Sequence, residues 1–516
     1  MKSLRYEDVS PDAALFLALV RGRISAPHIS PPTPSGLATA VRVAQGRSLP
    51  RGALVDALIA GMEAIVPMGA VPEAARAEAQ RLRADGVVVV VTGQQPGLFG
   101  GPSLVFAKAL SALALARRLE LQGTAAVAVF WSASEDHDHA EAESVALIAR
   151  GLSGGDELRR FALRLPRDGR MLARTAVPAN GAAVAAEFAA ALPDGPGHAD
   201  IAALVVPRDD ESVAAWSTRV VLELLGPLGL VVVEPSTLRP FAPSVIAHEL
   251  RHPGVLAAAV AAGEAAIATS HGFARPLALP HSELYFTVDA TGRRRHANAG
   301  DGAPHLDPSL AVTDPSRFSW NVASRVLAQN SALPVAAQIC GPSELGYCSA
   351  LGEAHAILQI PAPAFLPRAG LTIVDPRVRA ACEALAVSPE DVVRTPSVLG
   401  AFAVPEPPAA LAEIARLTTL LPPGSGPAAR RRLAATLRNL DLYASALARE
   451  DSERAAASDG RRTRILSALR PFGALQERHV SILSFVARHG VLFLPRILDA
   501  LVRAEPEHLV FDAVED

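Results

Sequence analysis

Lysine is nearly missing from this chain. Of 49 Lys and Arg residues only Lys2 and Lys108 are lysine, so 47 are arginine. Where such a bias is broken inside an ordered-looking segment, a compact ammonium is selected over a planar guanidinium, which makes Lys108 the first candidate functional residue. Cysteine is scarce too: Cys340, Cys348 and Cys382 are the only three. They form neither a disulfide framework nor a CxxC metal motif, and their expected role is that of small buried hydrophobes. No apolar run reaches the roughly 18 residues of a membrane span, and the N-terminal stretch sets acids ahead of a short apolar run, unlike a secretory signal. A cytoplasmic location with no membrane partner is expected. The net charge of −3 gives no electrostatic case for nucleic acid.

What is there is core material: 516 residues, 50% hydrophobic and 20% charged, enough for roughly three domains. Five apolar strand-like runs, Gly86–Thr92, Ala125–Ser132, Gly229–Ser236, Pro334–Gly341 and Pro363–Arg368, alternate with helical stretches. The pattern predicts an α/β fold with a doubly wound, Rossmann-like parallel sheet covered by helices. The core is expected over 1–150, 205–250 and 318–375, with insertions at 151–204 and 251–317. A helical hairpin or short coiled-coil arm follows at 376–470, and 471–516 is read as a helical segment returning to the core. In the arm, proline clusters at Pro405–Pro408 and Pro422-Pro423 bracket one helix. A longer one from Pro427 to about Ala457 carries Leu433, Leu437, Leu440, Leu442 and Leu447, a seam for a homodimer.

Polar residues gather where the strands end, the place where doubly wound sheets bind ligands. Between the first strand and its helix runs Gly93-Gln-Gln-Pro-Gly-Leu-Phe-Gly-Gly-Pro102, neither a Walker A motif nor GxGxxG. Gly93, Gly97 and Gly101 provide close-approach backbone for an anion, while the amides of Gln94 and Gln95 suit a polar small molecule. Lys108 and Ser111 lie three apart, on one face of an otherwise apolar helix. A buried ammonium needs an anion, either a protein carboxylate such as Glu135 or Asp136 or a bound ligand. The second strand ends in Glu135-Asp-His-Asp-His139, where His137 beside carboxylates suits a general base; Glu141 and Glu143 read as a solvated helix start, and Trp131 as core. Gly341-Pro-Ser-Glu344, with Tyr347 one turn on, offers a carboxylate, and Asn321, Arg325 and Arg368 are candidate anion clamps. No metal site is assigned.

Thr92-GQQPGLFGG-Pro102 with Lys108 and Ser111, Phe130-WSASEDH-Asp138, Phe318-Ser-Trp-Asn-Val322 with Arg325, Gly341-PSELG-Tyr347 and Pro367-Arg368 together resemble the bacillithiol biosynthesis cysteine-adding enzyme family. Order and spacing match through to Leu475-Gln-Glu-Arg478. The resemblance implies a core similar to class I nucleotidyltransferases and dimerisation through a coiled-coil arm. It also implies a ligase that joins the carboxyl group of L-cysteine to the amine of glucosaminyl-malate. Three departures stand out: Gly100 where Thr is common, Ser349-Ala350 in place of an Ala-Gln, and a coiled-coil hairpin that is short and proline-interrupted. The first two leave room for a ligase or transferase using another amino acid or amine; a binding or assembly protein without turnover, using the helical arm, is the second alternative.

Activating a carboxylate normally consumes a nucleotide, so ATP or ADP is a candidate cofactor, although the residues do not identify the energy source. On this reading Lys108 and the helix start bind phosphate or malyl carboxylates, and Asp136 or His137 deprotonates the amine. Glu344 holds the cysteine ammonium or sugar hydroxyls, and Asn321, Arg325 and Arg368 clamp carboxylate.

Overall fold

A computed structural model describes residues 2–66, 70–150, 156–279, 283–297, 306–399, 460–505 and 507–513. The predicted arm helices fall in 400–459, outside the described residues. The five predicted strands form one sheet: β1 (Val88–Gln94), β2 (Ala126–Ser132), β3 (Val231–Val233), β4 (Val335–Cys340) and β5 (Ala364–Pro367). Every pairing is parallel and the spatial order is β3-β2-β1-β4-β5, the doubly wound arrangement. Consecutive residues Val88 to Val91 are essentially inaccessible. Alternate strand residues face opposite sides, so both faces of β1 are covered.

The covering comes from helices. Helix α1 (Ser103–Leu121) packs on β1 and β2, Pro34–Gln45 on β4, and Arg51–Ile65 on β3. Because α1 is apolar nearly all round, it is buried along most of its length, Lys108 included. Ser144–Arg150, at the end of the first core segment, pairs antiparallel with Asp156–Ala162 of the first insertion; the second insertion contributes Tyr285–Val288, paired with Arg294–His296 and Phe318–Trp320. Among the described residues no single helix is long and apolar enough to cross a membrane.

The C-terminal segment departs from its helical reading. After Leu483–His489 and Phe493–Arg503, residues His508–Asp512 form a strand between Lys2–Leu4 and Gly370–Val374. A run this short has no decisive period, and tertiary pairing settles its conformation.

Candidate active site

Strand order reverses between β1 and β4, and the carboxyl ends of these two strands open into a cleft of about 860 Å³. At this crevice the Thr92 hydroxyl donates to Ile339 O at 3.0 Å, joining the two strand ends. Gly93 has no room for a side chain, since an added Cβ would lie 2.6 Å from Trp131 O. The turn that follows is wound tightly: Phe99 has φ 54° and Gly100 φ 83°. Phe99 itself packs against Phe188 and Trp216.

The loop's amides are largely spent inside the protein. Gly97 N donates to Ser217 Oγ at 2.9 Å, Gly100 N to Gly97 O, Gly101 N to Leu98 O, and Ser103 N to Val480 O. Gly101 does not line the cleft. Its role is to make the turn, at φ 81°, and this corrects its expected part in anion binding. Ser111 is likewise outside the cleft: it donates to Ala107 O and accepts from Ala369 N, fastening the backbone after β5 to α1.

On the cleft floor Lys108, 3% exposed, donates to Glu344 Oε2 at 2.5 Å, to Gln94 Oε1 at 3.2 Å and to Gly93 O. The expected partners Glu135 and Asp136 are engaged elsewhere. Glu344 lies in the first turn of the helix Pro342–Ser349 and accepts from Gly341 N, and its other oxygen faces Arg325 at 3.3 Å and Gln338 at 3.4 Å. Burial opposes its ionisation, but Lys108 and Arg325 prevail and hold its pKa below the ordinary carboxylate value. Arg325 also donates to the Tyr347 hydroxyl, whose pKa burial drives far up. Two cations share one carboxylate, so the cluster carries an excess positive charge. Both Glu344 oxygens are thus engaged on the cleft floor, one by Lys108 and the other by Arg325.

The β2 end forms one wall. Gln95 donates to Asp136, whose other oxygen accepts from His137 N and Asp138 N. Burial raises the Asp136 pKa, but Gln95, Arg294 and the backbone amides outweigh it and leave it below its ordinary value. His137 sits outside the lining, its ring edge-on to Phe286, and burial and Arg294 lower its pKa. Glu135 is held by Arg239 and by the Ser319 hydroxyl at 2.6 Å.

Asn321 lines the cleft with its carbonyl oxygen accepting from the amides of Ala323 and Ser324, where the helix Ser324–Ala332 begins. Arg368 also lines the cleft, but its guanidinium is bidentate to buried Glu477 at 2.5 and 2.9 Å. It clamps an internal carboxylate in place of the expected ligand. Trp131, expected in the core, is buried and lines the cleft beside Trp320.

Sequence reasoning passed over Arg294, whose guanidinium lies 3.8 Å from the Phe286 ring and donates to Glu135 O and Trp320 O. Burial lowers its pKa to about 10. Nothing in an arginine-rich insertion distinguishes it. Trp320 falls within Phe318-Ser-Trp-Asn-Val322, but no sequence pattern reveals that its buried Nε1, in the cleft wall, has no acceptor among the described residues.

Cys340, Glu344 and Cys348 place ligand atoms within 4.8 Å of one another. Both Glu344 oxygens already face Lys108 or Arg325, so this trio is poorly suited to a cation.

Fold and cleft together define a Rossmann-like protein with a cleft at the topological switch point. Residues 28–369 match the family described as "Bacillithiol biosynthesis BshC, N-terminal Rossmann-like domain", and the chain belongs to that family. It is 30% identical over 490 residues to a protein from Koribacter versatilis (86% of this chain, 87% of the relative). It is also 30% identical over 469 residues to one from Solibacter usitatus (83% and 85%), and 29% identical over 476 residues to one from Symbiobacterium thermophilum (83% and 84%). Each relative bears the name "Putative cysteine ligase BshC".

Proposed function

We propose that the switch-point cleft joins the carboxyl group of L-cysteine to the amine of glucosaminyl-malate, the last step of bacillithiol biosynthesis, in the cytoplasm. The observation that carries this reading is the Lys108–Glu344–Arg325–Tyr347 cluster on the cleft floor, facing the Gln95–Asp136 pair on the wall. Amide formation needs a carboxyl activated so that one oxygen leaves with the activating group, which a nucleotide would supply as phosphate, together with a neutral amine and a stabilised oxyanion. Asp136, ionised and fixed by Gln95, takes the amine proton. The excess positive charge of Lys108 and Arg325 over Glu344 stabilises negative charge developing on the cysteine carboxyl, and Gln94 and Asn321 orient polar groups above it.

The departures at Gly100 and Ser349 are compatible with the same acceptor. Neither Gly100 nor Ser349 lines the cleft. Gly100 is glycine for a backbone reason, with φ 83° and a Cβ position 3.0 Å from Val220.

The deciding experiment incubates purified protein with glucosaminyl-malate, cysteine and ATP or ADP in turn, and reads products by mass. The cysteinyl conjugate is expected; its absence under every nucleotide condition overturns the reading. Pairing of two chains through 427–457 belongs to the same proposal and is read by sedimentation of the full chain against one lacking that segment.

A further inference from the structure

The deep cations of the cleft are spoken for. Lys108 and Arg325 serve Glu344, Arg368 serves Glu477, and Arg294 serves two backbone carbonyls beside Asp136. Beyond the one excess charge of the Lys108–Arg325 pair, which the ligase reading assigns to the reacting carboxyl, a ligand's further negative charge must be met elsewhere, and the rim supplies it. Arg160 and Arg478 both line the cleft and both are exposed. Arg160 touches only the Ser144 hydroxyl, at 3.0 and 3.3 Å, and among the described residues neither arginine is paired with a carboxylate.

Backbone pairing places them together. In the hairpin Arg160 is the register partner of Ala146, and Ala146 bridges in parallel to Val480, its N–H donating to His479 O at 3.0 Å and its carbonyl accepting from Ser481 N at 2.8 Å. Arg160 and Ala146 thus sit on paired strands, Val480 is bridged to Ala146, and Arg478 ends the short 3-10 turn Gln476–Arg478 two residues before Val480. Of the acids lining the cleft, Glu135, Asp136 and Glu344 are held by Arg239, Gln95 and Lys108, which leaves Glu141 against the two arginines.

We propose that Arg160 and Arg478 form an anion subsite at the mouth of the cleft that grips a doubly charged group, a dicarboxylate or a diphosphate. This deepens the ligase reading, because the malyl end of the acceptor and the phosphates of a nucleotide both carry that chemistry.

The test needs no turnover. Malate, glucosaminyl-malate and ADP are titrated separately into the full chain by calorimetry, without cysteine. The same titrations are made with Arg160→Ala, Arg478→Ala, the double variant, and Arg159→Ala as a neighbouring control. Charge-assisted bonds of this kind predict about tenfold weaker Kd for each single change and about a hundredfold for the double, with affinity falling as salt rises. Loss confined to malate and glucosaminyl-malate assigns the malyl group, loss confined to ADP assigns the phosphates, and loss of both assigns a shared anion seat.

The subsite is overturned if wild type binds none of the three, if the double variant binds as tightly as wild type, or if Arg159→Ala weakens binding equally. Failure of the ligase reading looks different: arginine-dependent binding without conjugate under any nucleotide. Conjugate formation with anion binding unchanged in the double variant sinks only the subsite.

Discussion

Lys108 Nζ lies 2.5 Å from Glu344 Oε2, although 236 residues separate them in the chain. One residue follows β1 and the other follows β4, so the pair ties together the two strands between which the sheet reverses direction. The compositional anomaly at Lys108 is met by a fixed internal carboxylate, itself placed by Gly341 and Arg325.

Lys108→Ala is therefore expected to do more than remove activity. It leaves Glu344 buried with Arg325 as its remaining cation, and breaking a buried pair costs about 3–5 kcal/mol. Denaturant unfolding should show a loss of that order, together with loss of conjugate. Lys108→Met combined with Glu344→Gln should recover much of the stability while remaining inactive. An active Lys108→Ala protein would remove the cluster from the mechanism.

Asp136 and His137 are separated by a second experiment. Asp136 lines the cleft and is held ionised, whereas His137 lies outside the lining. A general base contributes about 10²–10⁴-fold, so Asp136→Asn should lower kcat at least a hundredfold with KM little changed, and His137→Gln should cost less than tenfold. Both pKa values are depressed, and each group is competent when deprotonated. The kcat profile should accordingly be flat from pH 6.5 to 8 and fall only on the acid side. A large effect of His137→Gln with a small one of Asp136→Asn would reverse the assignment.

The five sheet strands and α1 were legible because fully buried parallel strands read as uninterrupted apolar runs, and glycines mark where they stop. Which strand ends meet was not legible. Lys108 finds Glu344 in place of Glu135 or Asp136 because β4 pairs with β1 on the side away from β2, and strand order is written in long-range packing. Arg368 shows a second limit: its type and position fit a ligand clamp, but its carboxylate comes from Glu477, in a segment read only as helical. Arg294, Arg160 and Arg478 show a third, since in a chain with 47 arginines residue type carries no contrast.

Trp320 offers a test of ligand contact that leaves the charged cluster alone. Its buried Nε1–H has no acceptor among the described residues, and an orphan donor in a cleft wall is satisfied when a bound hydroxyl or carbonyl reaches it. Trp320→Phe keeps an aromatic ring and deletes the donor. One net hydrogen bond is worth about 0.5–1.5 kcal/mol, so KM for one of the two substrates should rise roughly two- to tenfold with kcat little altered. Unchanged KM for both would show that the donor is not used.

His508 sets the acid limit of the fold. It sits in the terminal strand against Thr372, at 2.8 Å, and so close to Gly370 that a Cβ there would come within 2.1 Å of Nδ1. Burial lowers its pKa from 6.5 to about 4, with Glu477 pulling back and Arg368 and Arg470 adding to the fall. Since the folded value lies below the unfolded one, the unfolded chain binds the extra proton. The contribution is complete above pH 6.5 and lost progressively down to about pH 4, amounting to roughly 3 kcal/mol at 1.36 kcal/mol per unit. His508→Gln retains polar groups near Thr372 but cannot titrate, so its unfolding free energy should decline less than wild type between pH 6.5 and 4, by that amount. Parallel curves for the two proteins would show that His508 is not protonated on acid unfolding. The destabilisation would then belong to the carboxylates, led by Glu477, whose depressed pKa places its own loss at lower pH.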